Sequence, residues 1–163
     1  MKIRVILVAA MMTLAVLSSG FAQEADPRLA VALDESGIKY TVNESGNYVV
    51  SYEMDNNPDR SHSVFIISET EDYRGVELRE IWSVSAVLYE IPDLDTIIAL
   101  MEQNSTIKVG AWAMETSDDG EIWILYTVKV PVALTGKQLS HLIYFVAEMC
   151  DEFEESYVGD DIY

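Results

Sequence analysis

Two histidines, one cysteine and a large excess of carboxylates are what this sequence offers for chemistry. His62 stands in a polar stretch, and His141 stands two residues past Leu139, near the start of an apolar-striped segment. Either ring could act as a general base, because imidazole titrates near neutral pH. A base needs a nucleophile within hydrogen-bond reach, and no Gly-x-Ser-x-Gly elbow is present to supply one. Asp55, Asn57 and Asp59 match the first three ligand positions of a calcium loop. The sixth position, which takes Gly, is Arg60, and the twelfth, which takes Glu, is Ile66. That spacing excludes an EF-hand and leaves a solvated polar loop. Zinc needs clustered Cys or His, which this composition does not supply. No catalytic, cofactor-binding or metal-ligating residue is assigned, and the chain is expected not to be an enzyme.

Cys150 falls on an apolar helical face with no basic neighbour in sequence to lower its thiol pKa. It reads as a small buried hydrophobe, with an intermolecular disulfide as the rival. Glu148, Asp151, Glu152, Glu154 and Glu155 lie on or beside the polar face of the same segment and read as solvated charge.

The elements that would carry these residues follow from spacing. Residues 107–114 and 122–130 are rich in β-branched, aromatic and apolar types, and Asp119-Gly120 between them suits a tight hairpin turn. Thr135 with Gln138 three residues on forms a capping box for a long helix. Its Leu139, Leu142, Ile143, Val146, Met149, Cys150, Phe153 and Tyr157 keep to one face of a 3.6-residue repeat. Upstream, Asp26-Pro27 opens a short helix that Gly37 ends, and residues 38–42 and 48–52 alternate as a first hairpin. Residues 64–67 predict a third strand, followed by an acidic turn over 69–75. Residues 76–87 predict a fourth strand containing a bend or bulge, and residues 94–104 a second helix. The fold class is therefore α+β: an antiparallel twisted sheet with helices packed on one face, in the order α-β-β-β(-β)-α-β-β-α. In the second hairpin both parities carry apolar groups, so the sheet face away from the helices is expected to be a binding surface or a dimer seam.

The first residues have the layout of a secretory signal peptide. Lys2 and Arg4 precede an apolar run over 5–17, and small Gly20 and Ala22 precede a cut after Ala22. The run is shorter than the roughly 20 residues a spanning helix needs. A periplasmic or secreted single domain over 23–157 with an acidic tail over 158–163 is expected, with residues 157–163 expected to fray, and no membrane association after cleavage. Loss of Lys2 and Arg4 would take the formal charge from −18 to −20. Such a chain repels phosphate backbones and anionic headgroups, which argues against nucleic acid as a partner.

The 76–82 passage Val-Glu-Leu-Arg-Glu-Ile-Trp, the 94–104 helix, the strand pair over 107–130 and the long final helix together resemble the YbjN family, named for bacterial sensory transduction regulators. That family is similar in fold to the dimeric type III secretion chaperones. The resemblance implies a regulatory module that binds a protein partner or a second copy of itself as a homodimer, without a cofactor and without family active-site residues. Two other readings stand beside it: a small periplasmic enzyme assembled from distant residues, which would bring His62 or His141 to a carboxylate, and a carrier of a small apolar ligand between sheet and helices.

Overall fold

The computed structural model describes residues 24–54 and 57–163, without the side chains of residues 57–59. The leader expected over 1–22 lies outside the described residues. So does Asp55, and with it the side chains of Asn57 and Asp59.

The chain runs α1 (Pro27–Glu35), β1 (Thr41–Val42), β2 (Tyr48–Met54), β3 (Asn57–Tyr73), β4 (Val76–Leu88), α2 (Leu94–Thr106), β5 (Ala111–Thr116), β6 (Ile122–Pro131) and α3 (Gly136–Tyr157). The six strands form one sheet in the order β1-β2-β3-β4-β6-β5, every neighbouring pair antiparallel. This is the α+β class and element order that the spacing predicts.

Local chemistry explains the ends of the elements. The Asp26 side chain accepts from Arg28 N and caps α1, with Pro27 in the first turn, where its missing N–H costs nothing. The Thr135–Gln138 capping box starts α3 as expected. A Cβ on Gly136 would run into the Ala32 carbonyl, so this glycine lets the first turn of α3 touch α1.

β3 departs most from expectation. A four-residue strand flanked by a polar loop and an acidic turn is in fact a strand of 17 residues. Its polar flanks are held by their neighbours, with Tyr52 opposite His62 on one side and Glu71 opposite Leu78 on the other. Pairing on both edges overrides weak intrinsic preference. Only Arg74 and Gly75 turn, both at positive φ, as a two-residue hairpin requires. The bulge expected in β4 lies between Val84 and Ala86, where the register with β6 shifts and both Ser85 and Ala86 turn inward.

α3 lies across one sheet face. Leu139, Ile143, Val146, Ala147 and Cys150 pack on Val50, Val64, Ile66, Ile81, Ile124, Tyr126 and Val128, all buried. α1 sits beside α3 and buries Leu29 and Leu33. α2 rests against the end strand β5, with Leu100 its one buried residue. No helix among the described residues is long and apolar enough to cross a membrane.

Candidate functional site

Arg60 and His62 are two apart on β3, so the period-two alternation aims both at α3. Asp151 and Glu154 are three apart on α3 and meet them from the helix side. All four are buried, His62 and Glu154 completely. The Arg60 guanidinium donates from Nε to Asp151 Oδ1 at 2.8 Å and from Nη2 to Glu154 Oε2 at 3.1 Å. The other Glu154 oxygen accepts the backbone N–H groups of Ile162 at 2.7 Å and Tyr163 at 3.1 Å.

His62 Nε2 lies 3.0 Å from the Val84 carbonyl. A carbonyl only accepts, so Nε2 carries the hydrogen and Nδ1 of the neutral ring presents a lone pair. That Nδ1 is 3.5 Å from Glu154 Oε2 and makes no hydrogen bond. Burial pushes the Glu154 carboxyl above its usual range and the His62 ring below its own.

These placements correct two expectations. His62 is a core residue of a strand, not part of a polar loop, because pairing with β2 extends the strand through it. Asp151 and Glu154 are not solvated, because Arg60 from β3 gives them a buried partner. The signal was present in the spacing: Glu154 continues the Ile143, Ala147, Cys150 stripe, and Arg60 and His62 share the parity of Val64 and Ile66. His141 is exposed on α3, far along the helix from this cluster. Cys150 is fully buried as expected, and burial pushes its thiol up to about 12.

Chemically the cluster is self-contained. Ligand atoms of His62, Asp151 and Glu154 lie within 4.8 Å of one another, the span of a metal set. However, the Arg60 guanidinium already bonds both carboxylates, so the chain's own cation fills that position. A general base would need its lone pair open to a substrate, whereas the Nδ1 lone pair is turned into Glu154.

The tail is the other departure. Residues 157–163 were expected to fray, yet Ser63 N donates to Tyr163 O at 3.0 Å, Val87 N to the Tyr163 hydroxyl at 3.0 Å, and Ser61 N to Asp161 Oδ1 at 3.2 Å. Tyr163 thus bridges β3 and β4 just past their last ladder pair on that side, Phe65 with Trp82.

Two surfaces lie outside the helix-covered face. On the opposite sheet face, Phe65 and Trp82 stack at 4.6 Å, and Ser63, Phe65, Val84, Val87, Trp123 and Tyr163 enclose a cleft of about 250 Å³. At the β5 end, Ile97, Leu100, Met101, Trp112, Ala113 and Met114 line an apolar groove of about 210 Å³ between α2 and β5.

No family model matches the sequence, and no curated protein matches it either. A solved structure does. The chain is similar to the crystal structure of YbjN from E. coli, with 12% identity, a TM-score of 0.47, and coverage of 80% of this chain and 89% of that one.

Proposed function

We propose that this chain is an exported, non-enzymatic binding module of YbjN-like type that works by holding a polypeptide at its α2–β5 end, in the simplest case a second copy of itself. One observation carries the reading. Of the thirteen exposed large apolar residues among those described, seven (Tyr89, Ile91, Leu94, Ile98, Met101, Val109 and Met114) belong to α2, the segment leading into it, or β5 with its approach. Concentrated exposure of this kind marks contact surfaces, whereas scattered apolar residues do not.

The backbone supports the same end. β5 closes the sheet order, so its outer edge is open to strand addition beside the groove. Two copies meeting edge to edge would place the same patch on both sides of a two-fold interface.

Light scattering on the processed protein tests this. The expected result is a dimer that becomes monomeric in Ile98→Asp and Met101→Asp, both at exposed positions of α2, with circular dichroism showing each variant folded. A wild-type chain that stays monomeric at high micromolar concentration, and binds no polypeptide at this end, would sink the proposal.

A further inference from the structure

We propose that a single proton is held between Glu154 Oε2 and His62 Nδ1, and that this proton latches the strap of residues 160–163 over the apolar cleft between β3 and β4. The inference is independent of the binding role above and begins with the hydrogen that His62 must keep on Nε2 for the Val84 carbonyl. With that tautomer fixed, an ionised Glu154 would set a carboxylate oxygen against a bare nitrogen lone pair at 3.5 Å, inside a site where both side chains have no exposure. Two electron-rich atoms facing each other in low dielectric need a cation or a hydrogen between them.

Arg60 does not fill this need at Nδ1, since its guanidinium points to Asp151 and to Glu154. Counting the groups that face the pair decides what does. β3 contributes Arg60 and His62; α3 contributes Asp151, Glu154 and the neutral thiol of Cys150. The tail contributes Asp161, which is exposed, and the Tyr163 hydroxyl, while β4 offers only the Val84 carbonyl and the Ser83 and Ser85 hydroxyls. Among the buried groups, one positive charge meets two negative ones when the pair is empty. One proton brings the sum to zero. Burial, which raises Glu154 and lowers His62, places that proton on Glu154 as a neutral acid donating to Nδ1.

The proton matters to the strap because Glu154 holds both ends of the arrangement. Its Oε2 faces His62, and its Oε1 accepts Ile162 N and Tyr163 N. Removing the proton drives His62 and Glu154 apart and takes the anchor of the strap with it. Release would free the N–H groups of Ser63 and Val87 and open the cleft walled by Phe65, Val84 and Trp123.

The sign follows from proton counting. In the unfolded chain the two groups titrate near their ordinary 4.5 and 6.5 and together hold one proton only between those values. Above 6.5 the folded pair binds more protons than the unfolded one, so the strap weakens as pH rises.

Amide hydrogen exchange by NMR tests the latch. Protection of the Ile162, Tyr163, Ser63 and Val87 amides, corrected for intrinsic exchange, is expected to fall by up to about tenfold per pH unit over the range in which the latched form still holds the proton and the open form has lost it, and to level off once both have lost it. Glu154→Gln is expected to hold the strap at all pH values, because its amide donates to Nδ1 permanently and its carbonyl still accepts from the strap. If that variant does not fold, the ring nitrogens of His62 in the wild type decide: Nδ1 should report a hydrogen-bonded nitrogen at about pH 6 and a bare one in alkali. Protection independent of pH, a Gln variant that titrates like wild type, or a bare Nδ1 at the lower pH would each overturn the proposal.

Discussion

Asn104 holds both backbone groups of Trp112, its Oδ1 accepting from Trp112 N at 2.7 Å and its Nδ2 donating to Trp112 O at 3.2 Å. A side-chain amide here stands in for the missing next strand. It ties α2 to the sheet edge and caps that edge at one residue. By the period of two, the backbone groups of Met114 face the same open side, so the uncapped edge begins two residues further along.

Asn104→Ala should therefore loosen α2 rather than unfold the sheet. It removes two hydrogen bonds and leaves a half-buried backbone pair unserved, at about 1–3 kcal/mol. Thermal unfolding should show a midpoint lowered by several degrees, with hydrogen exchange faster in α2 than in α3. Asn104→Asp keeps the acceptor and loses the donor, and should fall between the two.

The Arg60 network predicts a large and non-additive effect. Arg60→Ala strands the buried Asp151 carboxylate and takes the Arg60 donor from Glu154 Oε2, and breaking a buried pair from one side costs about 3–5 kcal/mol. Asp151→Asn alone should cost less, because Asp151 keeps some exposure and Arg60 retains Glu154. Denaturant unfolding of the two single variants and the double variant gives the coupling. A sum of the singles equal to the double would show that the two residues do not act together.

How much of this was legible beforehand differs by element. The α3 stripe, its capping box and the β5–β6 hairpin are local patterns and all are present, but β5 begins at Ala111 rather than at 107, because Ile107 caps α2 and the turn at Gly110 comes before the strand. β3 is longer than its local pattern predicts because its length comes from partners on both edges, which a local window cannot see. The Arg60–His62–Glu154 cluster was missed for the same reason. Polar residues read as exposed until a distant element supplies the opposite charge, and the two halves lie 91 to 94 positions apart. The tail is ordered rather than frayed because its anchor is Glu154, a carboxylate that continues the apolar stripe of α3 but whose charge reads as solvated until Arg60 is placed beside it.

Asp26 predicts an acid limb of stability. Hydrogen bonds from Arg28, with Arg79 adding to them, hold its carboxyl well below the usual carboxylate range despite partial burial. A carboxyl depressed in the folded state contributes stability present above its unfolded value of 3.8 and lost as pH falls below it. Asp26→Asn separates charge from capping, since Asn caps a helix about as well as Asp. The variant should have a lower melting temperature at neutral pH and a shallower loss on acidification. An unchanged slope in acid would mean that the ionic contacts contribute nothing.

Gly136 should resist substitution although it sits inside a helix. Alanine is ordinarily the better helix residue by about 1 kcal/mol. Here its Cβ would meet the Ala32 carbonyl and lie 2.5 Å from Ser36 Oγ, so α1 would have to move away from α3. Gly136→Ala is expected to destabilise by about 1–3 kcal/mol, the range for overpacked sites. A stabilised variant would show that α1 is free to shift.

Cys150 supplies a check on the whole α3–sheet interface. Its thiol is fully buried, donates to the Ser83 carbonyl at 3.5 Å, and is pushed by burial up to about 12. A thiol needs both exposure and a thiolate fraction to react, and the folded chain offers neither. Labelling with a water-soluble disulfide reagent at mildly alkaline pH should be slow and should track unfolding, rising in denaturant with the loss of helical signal. Two chains joined through this residue are not expected without unfolding, so a non-reducing gel of native protein should show the monomer band alone. Fast stoichiometric labelling in buffer would mean that α3 lifts from the sheet far more readily than its packing against Val64, Ile66, Ile124 and Tyr126 allows.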